Sequence, residues 1–319
     1  MTAGGLAPHM MRRQRLGDAV FRGATRGFAL GVLLLLGAVL MALAVGAEPA
    51  FRKFGLHFLV SDAWNPVKEN FGALPAIYGT VVTSLIAMVL AVPVGFGVAI
   101  FLTELCPPVL RRPIGVLIEL LAAIPSIIYG IWGLFILAPM LQSTLQPFLI
   151  DTLGEVPGFG ILFSGAPLGL GVLTAGIILA IMVLPFVASV TRDVFLTVPP
   201  MLRESAYGMG ATTAEVVRAI VIPHSRIGIV GGVMLGLGRA LGETMAVTFV
   251  IGNAHHISAS LLAPGTTISA TLANEFTEAV SDLYTSSLIA LGLILFVITL
   301  VVLAGANYLL WRLAARDAV

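Results

Sequence analysis

The sequence predicts an all-α polytopic membrane protein with six transmembrane helices. Three observations predict it. The 319-residue chain is 58% hydrophobic and only 10% charged, with a mean hydropathy of +1.05, whereas a soluble domain carries about 25% charged residues. Its apolar residues fall into six runs, each long enough for the roughly 20-residue helix that crosses a bilayer. Lys and Arg are spread unequally over the segments between these runs, as expected when cations are retained on the cytoplasmic side.

Residues 1–27 are polar and hold Arg12, Arg13, Arg15, Arg22 and Arg26, which marks a cytoplasmic N-terminal segment. The apolar run 28–47 ends in Val45-Gly46-Ala47, similar to a signal-peptidase site. That run exceeds the roughly 7 to 15 apolar residues of a cleaved signal, so it is read as an uncleaved first transmembrane helix. Residues 48–75, mixed in charge and containing Trp64, Asn65 and Pro66, form an external loop. The second span, 76–103, contains Pro93, Gly95 and Gly97, which predict a kink in its second half. A hinge at 104–113 carries Pro107, Pro108, Arg111 and Arg112.

The third span, 114–140, has Glu119 near its start and Pro125-Ser126 in its middle. A Gly- and Pro-rich loop, 141–167, leads to the fourth span, 168–191. The polar segment 192–226 precedes the fifth span, 227–252. A loop at 253–283 carries His255, His256, Glu275, Glu278 and Asp282; the sixth span, 284–311, and a short tail, 312–319, complete the chain. With the amino terminus inside, thirteen Lys and Arg fall in cytoplasmic segments and three, Arg52, Lys53 and Lys68, in external loops. Both termini and the 192–226 segment are therefore expected in the cytoplasm.

Composition also excludes functions. A P-loop requires G-x-x-x-x-G-K-[ST], but the two lysines, Lys53 and Lys68, precede Phe54 and Glu69 in an external loop. The chain is thus expected not to hydrolyse ATP, and no catalytic residue is assigned. HExxH and G-x-S-x-G motifs are lacking, as is any basic run interleaved with aromatics for nucleic acid. The one cysteine, Cys106, excludes an intrachain disulfide framework and reads as a small apolar residue. His255-His256 is read as part of a polar loop rather than a metal pair, since adjacent side chains point in different directions.

The stretch 203–252 carries the functional signals. Its first half is a polar helix flanked by apolar runs. Glu204 is expected near a helix start, where the dipole favours it; Gly210 supplies a tight turn or close approach; and Pro223 is expected to end the element before the fifth span. In the second half, Gly228, Gly232 and Gly236 recur at i, i+4, i+8, and 100° per residue puts Arg239 and Glu243 within about 20° of Gly232. Small-xxx-small ladders allow close helix approach, so this face is expected to meet protein rather than lipid. Arg239 and Glu243, one turn apart, either pair as a brace or line an anion path, with the Arg239 fork offered to an oxyanion and Glu243 orienting it or competing for it. Glu119 is a weaker candidate. It lies within one to two turns of the cytoplasmic end, where it reaches the polar boundary or pairs with Arg111 or Arg112.

Glu204-Ser205-Ala206, Gly210, Ile220 and Ile222-Pro223 follow the spacing E-A-A-x3-G-x9-I-x-L-P and resemble the EAA loop of ABC-transporter permeases. Ser205 replaces the usual Ala and Ile222 the usual Leu. The resemblance implies a coupling helix, within 203–223, that docks into a separate nucleotide-binding subunit. It also implies a type I ABC importer permease fold over 76–311. The strings LPAIYGTVVTSLIA at 74–87, VPVGFGVAIFLTEL at 92–105, ELLAAIPSIIYGIWGLF at 119–135 and GLGRALGETMAVTFVIGN at 236–253 are similar to the PstC family, one of the two permease subunits of phosphate-uptake ABC transporters. That similarity, from about 70 to the carboxyl terminus, implies import of inorganic phosphate across the bacterial inner membrane. It implies as partners a sister permease PstA, two PstB ATPase subunits holding ATP and Mg, and an external phosphate-binding protein PstS, with no cofactor in this chain. It also implies that Arg239 and Glu243 serve phosphate passage. Permeases for sulfate or molybdate share the architecture, and an ion-coupled secondary transporter is a further alternative, but such a transporter typically shows an internal repeat and the 203–252 pattern has no second copy.

Overall fold

A chain this apolar must satisfy its backbone polar groups within its own helices, and the helices follow directly from its long unbroken apolar runs. The computed structural model describes residues 8–158 and 160–317, and side chains over 17–158 and 160–312. The expected cytoplasmic ends at 1–7 and 318–319, and the side chains of Arg12, Arg13, Arg15 and Arg316, lie outside the described residues. Six helices among the described residues are long and apolar enough to cross a membrane: 17–54, 74–105, 126–153, 172–196, 213–241 and 282–312.

Helix α1 spans Pro8–Phe54. It runs on through Pro49, so the expected external loop at 48–75 begins as helix. The turn after Pro49 is propped from the last helix, since the Ala50 N–H donates to Ser286 Oγ at 3.0 Å. A short α2 (His57–Val60) leads into a two-stranded antiparallel hairpin, β1 (Trp64–Asn65) and β2 (Asn70–Phe71), with Trp64 opposite Phe71. This hairpin is the one pair of strands among the described residues, with a single further bridge between Gly252 and Gly265. Helix α3 (Leu74–Ile100) starts with Pro75 in its first turn, where a missing N–H costs nothing. It passes through Pro93 and ends in a π-helical turn, Phe101–Leu105.

The third span differs from expectation. Pro125 biases the residue before it away from helix, so the expected helix at 114–140 is split into α4 (Pro108–Ala122) and α5 (Ser126–Trp132). The helical run then continues through a π turn at Gly133–Leu137, α6 (Ala138–Met140), a second π turn at Leu141–Leu145 and α7 (Gln146–Leu153). The spanning stretch is therefore 126–153. The loop expected from 141 begins only after Leu153.

Helix α8 (Val172–Leu196) is the most enclosed of the spans. It lies along α3 in a core of small and branched residues, among them Ala87, Ala91, Ala175, Leu179, Val183 and Val187. Next come α9 (Pro200–Gly208) and α10 (Thr213–Val216), a π turn at Val217–Val221, and α11 (Ile222–Leu241). The expected fifth span of 227–252 thus stops at Leu241 and begins earlier, at Thr213. Gly242, the poorest helix former after proline, stands at the C-cap. Beyond it the chain folds back through α12 (Met245–Thr248) and α13 (Ile268–Glu275) into α14 (Asp282–Asp317). This connection is no loose loop: Val250, Ile251, Leu262, Ile268 and Ala270 are fully or almost fully buried. A second core, with Phe58, Phe71, Tyr284 and Leu288, holds α1, the hairpin and α14 together.

Candidate functional site

The segment 203–223, expected to carry a coupling helix, is built from α9, α10 and the π turn before α11. Thr212 caps α10 through a reciprocal box, its hydroxyl facing the Glu215 N–H and the Glu215 carboxylate accepting the Thr212 N–H at 2.8 Å. Gly210 takes φ +89°, left-handed backbone that side chains resist, so the expected tight turn falls where glycine stands. Glu204 and Ser205 are exposed on α9, with the Ser205 hydroxyl returned to the Met201 carbonyl at 2.7 Å. Glu204 sits in mid-helix, not at the helix start. Ala206, in contrast, is buried, and with Ile220 joins a cluster of Ala99, Phe195, Val198 and Val216 beneath α9. Small size at Ala206 is therefore a packing requirement. Pro223 does not end the element as expected. It lies exposed in the first turn of α11, and the helical path runs through it. A proline ring clashes with the carbonyl four residues back, and the π turn at Val217–Val221 lies just where that carbonyl falls.

The glycine ladder of α11 meets α8. A Cβ added to Gly228 would come within 2.5 Å of Val194 Cγ1, one on Gly232 within 2.8 Å of Val190 Cγ1, and one on Gly236 within 3.0 Å of Val187 Cγ2. The small-residue face thus brings two helices together, as the spacing predicts. Glu243, however, does not continue that face. Since α11 ends at Leu241, Glu243 lies past the helix, and its Oε1 accepts the Ala246 N–H at 3.2 Å at the start of α12. No ion pair joins Arg239 and Glu243 among the described residues. Arg239 is exposed on the side of the chain and lies within electrostatic reach of Tyr129 on α5. It stands roughly 24 Å along the helical path from Pro223 at 1.5 Å per residue.

Glu119, expected to reach the polar boundary or to pair with Arg111 or Arg112, instead accepts from Arg192 Nη2 at 2.8 Å. Arg192 also holds Asp193 at 2.9 Å, so α4 is tied to the end of α8. These groups line a cavity of about 300 Å³ with Arg111 and Arg112. Glu119 therefore belongs to a polar end of the bundle.

Two clusters were missed from the sequence. At one end, Trp64 Nε1 and the Tyr284 hydroxyl each donate to Glu275 Oε2 at 2.7 Å, while His255 Nε2 lies 2.5 Å from Oε1 and the His255 ring stacks on Trp64. Burial works to raise the Glu275 pKa, but the bonds from His255 and Tyr284, the His255 charge and the Trp64 bond outweigh it and hold the carboxyl below its ordinary value. His255 is thus a partner of Glu275 rather than part of a plain polar loop. At the opposite end, Arg203 Nη1 lies 3.4 Å from Glu104, a carboxylate only 5% exposed. Neither cluster has a local signal, because their members come from segments far apart in the chain. Among the described residues no group of three His, Cys, Asp or Glu is placed to hold a metal ion.

Comparison with known proteins shows the family. Residues 91–314 match the model of the family described as binding-protein-dependent transport system inner membrane component. A protein of Mesorhizobium japonicum named phosphate transport system permease protein PstC is 65% identical, covering 96% of this chain and 94% of its own. One of the same name from Haemophilus influenzae is 54% identical over 93% of this chain and 94% of its own. A probable phosphate transport system permease protein PstC of Methanocaldococcus jannaschii is 40% identical over 83% and 85%. In fold, the chain is similar to a bacterial ABC transporter involved in the import of alginate (TM-score 0.58, 17% identity, 92% of this chain and 99% of that one). It is similar also to the MetNI methionine ABC transporter in an inward-facing conformation (TM-score 0.51, 17% identity, 76% and 94%). With an EAA-spaced segment, a helix-packed glycine ladder and relatives of high identity over nearly its whole length, the chain belongs to the PstC branch of the binding-protein-dependent transport system inner membrane component family.

Proposed function

We propose that this chain is one permease half of an ABC importer that moves inorganic phosphate into the cell, driven by ATP hydrolysis in separate subunits. The observation that carries the reading is Arg239, which is exposed on the side of a spanning helix with no ion-pair partner in the described chain. An unpaired arginine facing lipid is expensive. The side that bears it therefore faces a water-filled path closed by a second permease, and its forked donors suit a tetrahedral oxyanion. Glu243, held by the Ala246 N–H beside this path, supplies a fixed negative charge that keeps the anion from binding too tightly to leave.

The family and the names of its relatives support phosphate over sulfate or molybdate. In this reading the chain is no enzyme. It pairs with a sister permease PstA, receives phosphate from an external binding protein PstS, and presents α9 to one of two PstB ATPase subunits that hold ATP and Mg. The exposed Glu204 and Ser205 form the docking side of α9, and the buried Ala206 and Ile220 fix it to the spans. In this reading both termini and α9 lie in the cytoplasm and the β1–β2 hairpin and α13 outside, which the bias of Lys and Arg supports. The test is the assembled complex in vesicles with labelled inorganic phosphate. Arg239→Ala is expected to abolish uptake while the subunits still co-purify. Normal uptake by that variant would reduce the arginine to a brace, and uptake of sulfate in preference to phosphate would change the substrate.

A further inference from the structure

The contact between Arg203 and Glu104 lies at the root of the coupling helix, and nothing in the spacing motif requires it. Arg203 precedes Glu204 on α9. Its Nη2 donates to the carbonyl of Phe195 in the last turn of α8, and its Nη1 lies 3.4 Å from Glu104 in the π turn that ends α3. The two side chains are 17% and 5% exposed, so this charged pair sits within the cytoplasmic rim of the bundle beside the cluster of Ala99, Phe195 and Ala206. One guanidinium thereby joins the coupling helix to the ends of the two spans that form the central core, and α8 is the helix against which the glycine ladder of α11 lies.

We propose that Arg203 and Glu104 are positioning residues for energy coupling: a tie that converts displacement of the ATPase-docked helix into displacement of α3 and α8. The inference rests on the transporter reading above. Two features support a tie over a static brace. The apolar contacts under α9 are non-directional and permit sliding, whereas a buried ion pair resists separation, because parting it leaves an uncompensated charge. Glu104 stands in a π turn, a geometry frequent at functional sites in helices.

The experiment uses the complete complex in vesicles and measures inorganic phosphate imported per ATP hydrolysed. The variants are Glu104→Gln, Arg203→Gln and the exchange pair Glu104→Arg with Arg203→Glu. Coupling networks shift by factors of roughly 2 to 30 on mutation, so each single variant is expected to keep phosphate-stimulated hydrolysis within about twofold while import per ATP falls roughly fivefold or more. The exchange pair is expected to recover part of that ratio. A role confined to stability lowers hydrolysis and import together, so an unchanged ratio in both single variants overturns the proposal, whatever happens to total activity. Failure of all three variants to assemble also overturns it, since the pair is then a folding element. The wild-type complex in the same vesicles tests the parent reading separately. If it shows no phosphate-stimulated hydrolysis the transporter assignment falls and the tie with it, whereas stimulation in wild type with unchanged ratios in the variants removes the tie alone.

Discussion

Replacing Gly228 by alanine tests whether the ladder in α11 is a true helix contact. The new Cβ would lie 2.5 Å from Cγ1 and 2.7 Å from Cγ2 of Val194. Carbon atoms sit comfortably at about 3.5–4.0 Å, so the overlap is about 1 Å with two methyls at once. Turning Val194 does not clear both, since a valine in a helix has essentially one allowed χ1. The helices must therefore separate, and overpacking of this kind costs about 1–3 kcal/mol. Val194→Ala removes both offending methyls. Alone it loses only dispersion contacts, below about 1 kcal/mol, because apolar transfer from lipid drives little. In the double variant the alanine at 228 fits into the vacated space, so the pair is expected within about 0.5 kcal/mol of Val194→Ala alone, with an interaction energy of about 1–2 kcal/mol between the sites. Equilibrium unfolding of the purified protein in lipid-detergent bicelles measures all three. A Gly228→Ala variant as stable as wild type, or a double variant no better than the sum of its parts, would refute the contact.

Gly210 makes no close contact but has φ +89°, so substitution there strains the backbone alone, by about 1–2 kcal/mol. Gly210→Asn is expected to retain more phosphate-stimulated ATPase activity than Gly210→Val, because asparagine tolerates left-handed backbone; the reverse order would show that something other than backbone geometry matters. Glu275 supplies a pH prediction. Its carboxyl is held below the ordinary value of 4.5, so its stabilisation is fully present above that value and is lost as pH falls through the depressed one. Melting curves of wild type should drop on acidification below about 4.5, and Glu275→Gln should be less stable at neutral pH and lose part of that drop. An unaltered acid profile in the variant would remove Glu275 from the account. Glu119→Gln is expected to leave phosphate uptake within about twofold of wild type, since its half-exposed pair with Arg192 lies at the polar end of α4 and is worth no more than about 1 kcal/mol; loss of uptake in the vesicle assay would return it to the path.

Much of this molecule was legible before folding, because the signals are local. Apolar length fixes six spans irrespective of tertiary context. Gly210 is needed for its own backbone angle, and the i, i+4, i+8 glycines mark a helix contact by period alone. The boundaries were less legible, since each break depends on a single residue competing with the apolar run around it. Pro125 splits the third span, Gly242 stops α11 short of Glu243, and Pro223 is absorbed by a π turn where a stop was expected. Stopping α11 also removed the pairing of Arg239 with Glu243, which extrapolation of the helix had placed on one face.

By itself, then, the sequence determined the class, the number of spans, the EAA spacing and the charged residues set among the apolar runs. Only the tertiary structure decided which of them meet. Arg192 takes Glu119, Arg203 takes Glu104, and Glu275 gathers Trp64, His255 and Tyr284, leaving Arg239 on an open side. The reason is physical: helix period and hydropathy act over a few residues and are written in order, whereas a buried charge takes whichever partner the packed helices bring within reach.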